Sequence, residues 1–256
     1  MFLEERQSQI LAMLERDGKV LVKELAEKFA VTEDSIRKDL SSLELDGKLK
    51  RTYGGAVTIA EKLQMTEANR RRVSDVEAKR KIAAAAVKLM QPQDLIFLDI
   101  STISIAVAQI LEKTENTYKI LTNMIDVAVM LARNPKIDLF CAGGRINQSR
   151  DGFSDVLNLE FISAFRPDVA FIGAFGVDIK KNSLTSRDTA GGVLKARMIE
   201  ISKKSYVIAE SRKIGVEGTY SFAALDKADG IITEVALSET LATAAENLGV
   251  KVIVAE

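Results

Sequence analysis

The sequence has no histidine and no tryptophan, one cysteine and only three prolines. Without histidine, the chain cannot build a catalytic triad with an imidazole base, and it lacks the side chain that most zinc sites use. The single cysteine, Cys141, cannot form a disulfide within the chain, which is typical of a reducing compartment. Because Cys141 lies in the apolar run 137–142, we expect it to fill space in the core. We predict neither a metal site nor a cofactor.

An excess of one charge and long apolar runs are also absent. Lys and Arg number 36, as do Asp and Glu, so the formal net charge is zero and nucleic-acid contact must depend on local placement of cations. No apolar run approaches the roughly 20 residues of a membrane span. Glu4, Glu5 and Arg6 precede the first apolar run, so we expect no secretory signal and a cytoplasmic protein. The 256 residues suffice for a small domain and a medium one.

Residues 1–57 have the pattern of a small DNA-binding domain. The spacing of apolar residues predicts helices over 4–16, 22–29 and 32–45, separated by short turns. The segment 48–57 alternates in character and contains two adjacent glycines, which indicates a hairpin. Three short helices followed by a hairpin describe a winged helix-turn-helix, whose third helix enters the major groove.

The third helix has features suited to DNA contact. Thr32 can cap its N-terminus, and Ile36, Leu40 and Leu43 mark one buried face. The polar and cationic residues on its other faces suit phosphate and base contacts, although a solvated helix with ordinary surface cations is the alternative for these residues alone. The candidate DNA contacts are Thr32, Ser35, Arg37, Lys38 and Ser41 on the helix, and Lys48, Lys50 and Arg51 on the wing.

The small domain is not basic overall. Residues 1–60 contain ten Lys or Arg against eleven Asp or Glu, with most of the acids on the first two helices. This balance predicts modest non-specific affinity for DNA, because such affinity comes mainly from neutralised phosphates. We therefore expect the protein to rely on a homodimer or homotetramer for tight binding.

From residue 75 onward the pattern changes to alternating strands and helices. Short apolar runs read as buried strands separated by amphipathic helices, which predicts a mostly parallel α/β sheet covered on both faces. We expect residues 58–74 to form a linker and residues 75–256 to form a domain for effector sensing and oligomerisation. The predicted strands are 95–100, 119–121, 137–142, 169–174, 205–209, 230–233 and 250–254.

Polar residues follow most of these strands, where ligands of parallel sheets usually bind. Hydroxyls and backbone N–H groups at helix N-termini suit a phosphate or carboxylate, and three cations could add charge. For any single loop, an ordinary helix cap or tight turn is the alternative; for all loops together a ligand crevice is favoured. The candidate effector contacts are Asp99, Ser101, Thr102, Ser104, Thr122, Asn123, Gly143, Gly144, Arg145, Asp178, Lys195 and Lys213.

A spaced set of residues in the small domain carries a family resemblance. The set comprises Arg6, Ile10, Leu14, Thr32-x-x-Ser35-Ile36-Arg37-Lys38-Asp39-Leu40, Leu43-Glu44, Gly47-Lys48-Leu49 and Tyr53-Gly54-Gly55-Ala56. It resembles the signature of DeoR-type bacterial transcriptional regulators. Ser35 stands where that family usually has Thr, so the hydroxyl remains and a methyl contact is lost. The resemblance implies a double-stranded DNA operator as partner and repression as the usual mode.

A second set of residues extends the resemblance to residues 75–256. It comprises Asp99, Thr102, Thr122-Asn123, Gly143-Gly144, Gly152, Phe171-Ile172-Gly173-Ala174, Gly176-Val177-Asp178, Leu184-Thr185, Lys195 and Ser211-x-Lys213. It resembles the DeoR-type sensor domain, which is related to ribose-5-phosphate isomerase and CoA-transferase folds. The resemblance implies recognition of a phosphorylated sugar or related metabolite. Ser101 stands where the family has Gly and Phe175 where it has Asp, which predicts a different or altered effector.

The sequence therefore predicts a DNA-binding transcriptional regulator, a repressor whose operator affinity is controlled by a phosphorylated sugar or related metabolite. One alternative is an enzyme of the sugar-phosphate isomerase type that uses Asp99 or Asp178 with Lys195 for proton transfer. The winged domain argues against it, because an isomerase has no use for a DNA reader. A second alternative is a regulator whose C-terminal domain only oligomerises. The expected partners are operator DNA, a small-molecule effector and further copies of the chain, with no membrane.

Overall fold

The computed structural model describes residues 3–57, 72, 74–149 and 151–256. These residues form two compact units that divide between residues 70 and 71. Most of the predicted linker, 58–74, lies outside the described residues. No helix in the described ranges is long and apolar enough to cross a membrane.

The N-terminal unit is a winged helix-turn-helix, as predicted. Its three strands form one antiparallel sheet in the order β1-β3-β2, in which the wing strands β2 and β3 pair with each other and β3 also pairs with β1. The elements are α1 (Leu3–Asp17), β1 (Lys19–Leu21), α2 (Val22–Phe29), α3 (Glu33–Leu45), β2 (Lys50–Thr52) and β3 (Gly55–Val57).

A compact apolar core holds the three helices together. Ile36, Leu40 and Leu43 of α3 are fully buried against Ile10 of α1 and Leu25 of α2, as the spacing predicted. Position 55 must be glycine, because a Cβ there would collide with the carbonyl group of Val20 on the neighbouring strand. The sheet and the helices therefore fix where α3 stands in the unit.

A buried ion pair joins the first helix to the third. The Arg6 guanidinium donates to both carboxylate oxygens of Asp39, at 2.6 and 3.2 Å. The hydrogen bond to Asp39 raises the pKa of Arg6, and only 3% of the Asp39 side chain is exposed. A buried carboxylate is costly unless it is paired, so this contact fixes the register of α3 against α1.

The C-terminal unit is built on a seven-stranded parallel sheet, in the order β13-β12-β10-β7-β4-β5-β6. Its elements are α4 (Val76–Val87), β4 (Leu95–Leu98), α5 (Thr102–Leu111), β5 (Tyr118–Thr122), α6 (Ile125–Leu131), β6 (Ile137–Cys141), α7 (Val156–Ser163), β7 (Val169–Gly173), β8 (Gly176–Asp178), β9 (Ser183–Ser186), α8 (Thr189–Ile201), β10 (Lys204–Ile208), β11 (Tyr220–Ala223), β12 (Gly230–Thr233), α9 (Glu239–Asn247) and β13 (Lys251–Val254).

Two hydrophobic clusters cover the two faces of this sheet. Alternate residues of each strand point to opposite faces, so Leu98 belongs to the cluster that includes residues of α4, α5 and α6, whereas Phe97 belongs to the cluster that includes residues of α7, α8 and α9. All neighbouring strands of the sheet run parallel. The predicted parallel sheet with two covered faces is therefore confirmed, and the carboxyl ends of its strands share one edge.

A second, antiparallel sheet was not predicted. Strands β8, β9 and β11 form it in the order β11-β9-β8, with a register shift between Ser221 and Ala223. Its strands have only three or four residues and mix polar with apolar residues, so they lack the apolar pattern of the parallel strands. Asp178 ends β8 and accepts from the Lys181 N–H at 2.9 Å, so it belongs to this small sheet.

The expectation that Cys141 fills the core was wrong. Cys141 is exposed at the last position of the edge strand β6, whereas the next residue, Ala142, is fully buried. Successive residues of extended chain point to opposite sides, and here the alternation turns Ala142 inward and Cys141 outward. An apolar run in the sequence does not show which of its members face the solvent.

Removing the carboxylate of the α1–α3 ion pair should destabilise the N-terminal unit. We expect Asp39→Ala to lower its free energy of unfolding by about 2 kcal/mol, because the Arg6 charge would lose its hydrogen-bonded partner. Amide hydrogen exchange in α1 and α3 measures this loss. Lys38→Ala removes an exposed ion pair from the same helix and should change stability by less than about 0.5 kcal/mol. Equal effects of the two variants would contradict a structural role for Asp39.

Candidate DNA-binding surface and ligand crevice

Thr32 begins the recognition helix α3 as its N-cap. Its Oγ1 accepts from the Ser35 N–H at 3.2 Å and lies 2.9 Å from the Ser35 hydroxyl oxygen. The predicted capping role is therefore confirmed. Because Thr32 is exposed and Ser35 is half-buried, these two hydroxyls lie at the accessible N-terminal end of α3.

The cations of α3 are paired with acids one turn earlier. Arg37 lies 2.6 Å from Glu33, and Lys38 lies 3.4 Å from Asp34. All four side chains are about half exposed or more, so each pair contributes little to stability and can exchange partners readily. The acids partly neutralise the charge of this face of α3.

The wing is held against α3 by Glu44. Its Oε1 accepts from the backbone N–H of Arg51 at 3.0 Å and lies 3.2 Å from the Lys50 ammonium nitrogen. These two hydrogen bonds lower the pKa of Glu44. The Arg51 guanidinium in turn donates to the hydroxyl of Ser41 on α3. Lys50, Arg51 and Ser41 thus lie together, on a surface shared by helix and wing.

Two residues of this surface were missed as candidate contacts. Glu44 orients the wing across two elements, which no spacing along the chain reveals. Tyr53 stands fully exposed at the tip of the hairpin, before Gly54 with its positive φ of 86°. An aromatic residue directly after the wing cations and before two glycines was the available signal for it. Lys48, beside Asp46 at 3.9 Å, completes the cations near the wing.

The polar strand ends that the sequence offered as a candidate ligand site meet at the carboxylate of Asp99, just after β4. Asp99 is 1% exposed, and its Oδ2 accepts from the Gly173 N–H at the end of β7, at 2.9 Å. The Lys195 ammonium on α8 donates to the same oxygen. Burial raises the pKa of Asp99, and the contacts with Lys195 and Gly173 oppose that rise. Three elements thus bring a cation, a carboxylate and a strand end together.

Ser101 occupies the crowded start of the first loop. Its Oγ accepts from the Ile103 N–H at 3.2 Å, which makes it the N-cap of α5. A Cβ at position 173 would come within 2.9 Å of the Ser101 Cβ, so the two strand ends meet closely only because residue 173 is glycine. Thr102, half-buried, and Ser104, fully buried, follow in the first turn of α5.

The second loop holds the strand ends in place. The Thr122 hydroxyl donates to the Leu98 carbonyl at 2.7 Å and accepts from the Met124 N–H at 3.1 Å. The Asn123 amide donates to the Phe153 carbonyl at 3.0 Å. The two hydrogen bonds of Thr122 therefore hold the loop against the sheet. The amide nitrogen of Asn123 is already hydrogen-bonded, whereas its amide oxygen is available for another contact.

The third loop is organised by Asp155. Its carboxylate accepts from the Arg145 N–H at 2.7 Å and from the Asn158 N–H at 2.8 Å, which lowers the pKa of Asp155. Gly144, with φ of 139°, lies against that carboxylate. The Gly143–Arg145 segment therefore forms a turn capped onto α7, with the Arg145 side chain exposed.

Lys213 belongs to a separate cluster around a buried carboxylate, Glu210. The Glu210 carboxylate lies 2.8 Å from Lys213, 3.0 Å from Arg212 and 3.8 Å from Lys79. Burial raises the pKa of Glu210, but attraction and hydrogen bonds from Lys213 and Arg212 outweigh it and lower the pKa to about 2. Burial lowers the pKa of Lys79, which is 3% exposed.

This cluster ties the end of β10 to the beginning of the C-terminal unit. Arg212 lies 3.0 Å from the carboxylate of Asp75, the residue that precedes α4. Lys79 of α4 donates to the Ser74 carbonyl. Neither Glu210 nor Lys79 was a candidate in the sequence. A lysine three residues before Ile82, on the apolar face of α4, was the signal for a buried cation.

Phe175, which stands where the resembled family has Asp, forms a contact of its own. The Arg187 guanidinium carbon lies 4.3 Å from the centroid of the Phe175 ring. Such stacking is favourable because the ring face is electron-rich. Phe175, two residues beyond Gly173, therefore holds the guanidinium of Arg187 against its ring.

The Glu210 cluster should make stability depend on pH in the acid range. Because the pKa of Glu210 falls from 4.5 to about 2 on folding, its contribution is fully present above about pH 4.5 and is lost as the pH falls towards 2. We expect Glu210→Gln to lose less stability than the wild type between pH 5 and pH 2.5, as measured by urea unfolding. Glu217→Gln removes an exposed carboxylate and is the control; identical pH profiles for Glu210→Gln and the wild type would contradict the assignment.

Comparison with known proteins identifies both units. The family model of the DeoR-like helix-turn-helix domain matches residues 6–62, and that of the DeoR C terminal sensor domain matches residues 74–235. The uncharacterized HTH-type transcriptional regulator YulB of Bacillus subtilis (strain 168) is 31% identical over 98% of this chain and 96% of its own. The HTH-type transcriptional repressor GlcR of the same strain is 29% identical over 100% of this chain and 98% of its own.

The chain is also similar to a further regulator and to a solved structure. The glycerol-3-phosphate regulon repressor of Escherichia coli (strain K12) is 28% identical over 90% of each chain. Ribose 5-phosphate isomerase A from Methanocaldococcus jannaschii aligns with 55% of each chain, at 16% identity and a TM-score of 0.41. The matches to regulators extend over the whole chain, whereas the match to the isomerase is distant and partial. The chain belongs to the DeoR family and is a DNA-binding transcriptional regulator, not an enzyme.

Proposed function

We propose that the protein is a repressor that binds its operator as a homo-oligomer and that a phosphorylated sugar or related anionic metabolite controls this binding. The observation that carries the effector class is the buried contact of Asp99 with Lys195 and the Gly173 N–H, at the carboxyl ends of two neighbouring parallel strands. The names of the repressor of the glycerol-3-phosphate regulon and of a putative aga operon repressor from Escherichia coli O157:H7 support a regulator of carbon metabolism. A cytoplasmic location stays a prediction.

Operator reading is assigned to the N-terminal half of α3. Arg37 and Lys38 would leave Glu33 and Asp34 to contact base edges or phosphates, at small cost because both pairs are exposed. The hydroxyls of Thr32 and Ser35 suit a phosphate near the helix N-terminus. Ser41, already bonded to Arg51, would line the same surface.

Phosphate contact along the adjacent backbone is assigned to the wing. Glu44 holds Lys50 and the backbone of Arg51, so the wing cations are presented in a defined place. Lys48 would add a further phosphate contact beside those of Lys50 and Arg51. Such contacts add affinity and position but no sequence preference.

The crevice provides the two kinds of group that a sugar phosphate needs. Lys195 can attract the phosphoryl group, and the Asp99 carboxylate can accept from sugar hydroxyls. Two buried polar atoms of the neighbouring loops, Ser104 Oγ and Asn123 Oδ1, have no hydrogen-bond partner within the described part of the chain. Buried polar atoms generally find a partner, so these two support a polar ligand or bound water here.

The remaining candidate residues are assigned supporting or outer roles. Ser101, Thr102 and Thr122 would shape the crevice, and the Gly143–Arg145 turn would offer backbone N–H groups and one exposed guanidinium. Asp178 and Lys213 are held by Lys181 and Glu210, so a direct ligand contact by either would require exchange of these partners.

The Glu210 cluster is the proposed route from crevice to reader. It follows β10, which pairs with β7, the strand whose end contacts Asp99. Through Arg212 it holds Asp75 at the start of the C-terminal unit. A shift at the strand ends would thus reach the segment that leads to the reader. A coupling of roughly 1–3 kcal/mol corresponds to a 5- to 150-fold change in operator affinity.

Replacing Arg37 should weaken operator binding. We expect Arg37→Ala to cost about 1–3 kcal/mol if the contact is bidentate to a base, measured by titration at fixed salt with DNA selected from a random pool. Glu33→Gln is the matched variant. It keeps α3 and removes the acid beside Arg37, so its affinity should stay equal or rise. Wild-type affinity of Arg37→Ala would remove this residue from the reader.

Replacing Lys195 should abolish effector binding. We expect phosphorylated sugars, tested as a panel that includes glycerol 3-phosphate and glucose 6-phosphate, to raise the melting temperature of the wild type but not of Lys195→Met. Lys203→Met removes an exposed cation of the same domain and should respond like the wild type. Selecting bound DNA with and without each stabilising compound then tests reader, sensor and coupling together. No shift with any compound would favour a C-terminal domain that only oligomerises.

A further inference from the structure

The tip of the wing carries an aromatic side chain that the fold does not use. Tyr53 is fully exposed, and its side chain makes no hydrogen bond or ring contact with the described residues. A single exposed ring is ordinary on a protein surface. What distinguishes Tyr53 is its place, directly beyond the strand that carries the cations Lys50 and Arg51. The ring is therefore available to whatever those cations bind.

Backbone contacts hold the tip of the wing in a fixed position. Thr52 pairs with Gly55, so Tyr53 and Gly54 form a two-residue turn. The Gly54 carbonyl accepts from the Val22 N–H at the start of α2, at 2.8 Å, and β3 also pairs with β1. A tight turn that is tied to a helix loses little conformational freedom when a partner covers it. The tip therefore presents the ring in one defined place.

The wing also fixes how far Tyr53 lies from the recognition helix. Glu44 of α3 accepts from the Arg51 N–H and lies 3.2 Å from the Lys50 ammonium nitrogen. Tyr53 follows Lys50 by three residues, which is about 10 Å of extended chain. With α3 in the major groove, the wing cations would meet the phosphate backbone beside it, and the minor groove is the next surface beyond that backbone. The tip of the wing therefore reaches the minor groove.

A tyrosine side chain suits the minor groove and can distinguish between base pairs there. A·T and T·A pairs present only acceptors in this groove, whereas a G·C pair adds the amino group of guanine. The phenol hydroxyl can donate to an acceptor of an A·T pair, and the apolar ring can pack against the sugars that line the groove. The guanine amino group would occupy the space that the ring needs. A ring at this position therefore favours A·T pairs.

We propose that Tyr53 enters the minor groove beside the site read by α3 and gives the protein a preference for A·T pairs at that place. The assignment rests on the proposed operator contacts of α3 and the wing. It adds to them a base preference, which the phosphate contacts of Lys50 and Arg51 cannot supply. Tyr53 is thus a specificity-determining residue outside the recognition helix, with its ring between the sugars and its hydroxyl on a base acceptor.

The test uses base analogues in an operator that the full chain selects from a random pool of DNA. Diaminopurine·T keeps the major-groove groups of A·T and adds a minor-groove amino group, whereas inosine·C keeps the major-groove groups of G·C and lacks that amino group. We expect diaminopurine·T beside the site of α3 to lower affinity about tenfold, a usual cost of one unsuitable base pair, and inosine·C to bind like A·T. The opposite ranking would mean major-groove reading and would overturn the proposal.

Substitutions at Tyr53 connect this preference to the ring. We expect Tyr53→Ala to lower operator affinity about tenfold and to remove the discrimination against diaminopurine, with an unchanged salt dependence because no charge is lost. Its melting temperature should equal that of the wild type, since the side chain is fully exposed. Tyr53→Phe keeps the ring and should keep the discrimination. Lys50→Ala is the contrasting variant, which should weaken all sequences alike and lower the salt slope by about one.

Two results with Tyr53→Ala would overturn the assignment. One is wild-type affinity together with wild-type discrimination. The other is a loss of affinity that leaves the discrimination against diaminopurine intact, which would place Tyr53 on the phosphate backbone. The proposed reader is judged separately: if Arg37→Ala weakens binding and Tyr53→Ala does not, the reader stands and the minor-groove contact fails. If Tyr53→Ala loses the discrimination and Arg37→Ala binds like the wild type, the contact of Arg37 fails and that of Tyr53 stands.

Discussion

The cost of burying a charge organises the C-terminal unit. A carboxylate removed from water must be paired and hydrogen-bonded, and Asp99 meets this requirement with groups from β7 and α8. Glu210 meets the same requirement at the end of β10 with three cations. Because the strands are parallel, both carboxylates stand at one edge of the sheet. The buried polar contacts at this edge of the sheet therefore form only when elements that are far apart in the sequence are correctly packed against one another.

In the N-terminal unit, the ion pair in the interior and the ion pairs on the surface have different roles. Inside, Arg6 and Asp39 form a buried pair that positions α3. Outside, Arg37 and Lys38 form exposed pairs that cost little to break. Both features suit the proposed reader, in which the helix would stand in a defined place while its cations exchange acids for phosphates or bases.

Much of the fold could be predicted because its signals are local. Helix α2 has the bounds that its apolar spacing indicated, and Thr32 caps α3 as its position implied. The parallel strands were recognisable as continuous apolar runs, since both faces of the sheet are covered. The small antiparallel sheet was missed because its strands are only three or four residues long and mix polar with apolar residues. Thr122 was predicted as a candidate ligand contact, but its hydroxyl is hydrogen-bonded to the backbone of Leu98 and Met124. The sequence pattern does not reveal these tertiary hydrogen bonds.

The sequence by itself determined the family, the order of the helices and parallel strands, and the residue types at the strand ends. It did so because helix periodicity, strand hydrophobicity, caps and motif spacing are properties of neighbouring residues. Only the tertiary structure decided that Lys195 meets Asp99, that Lys213 faces Glu210, that Glu44 holds the wing and that α7 turns Leu157 outward. Each of these is a contact or an orientation between elements separated along the chain, and it depends on packing that no local pattern encodes.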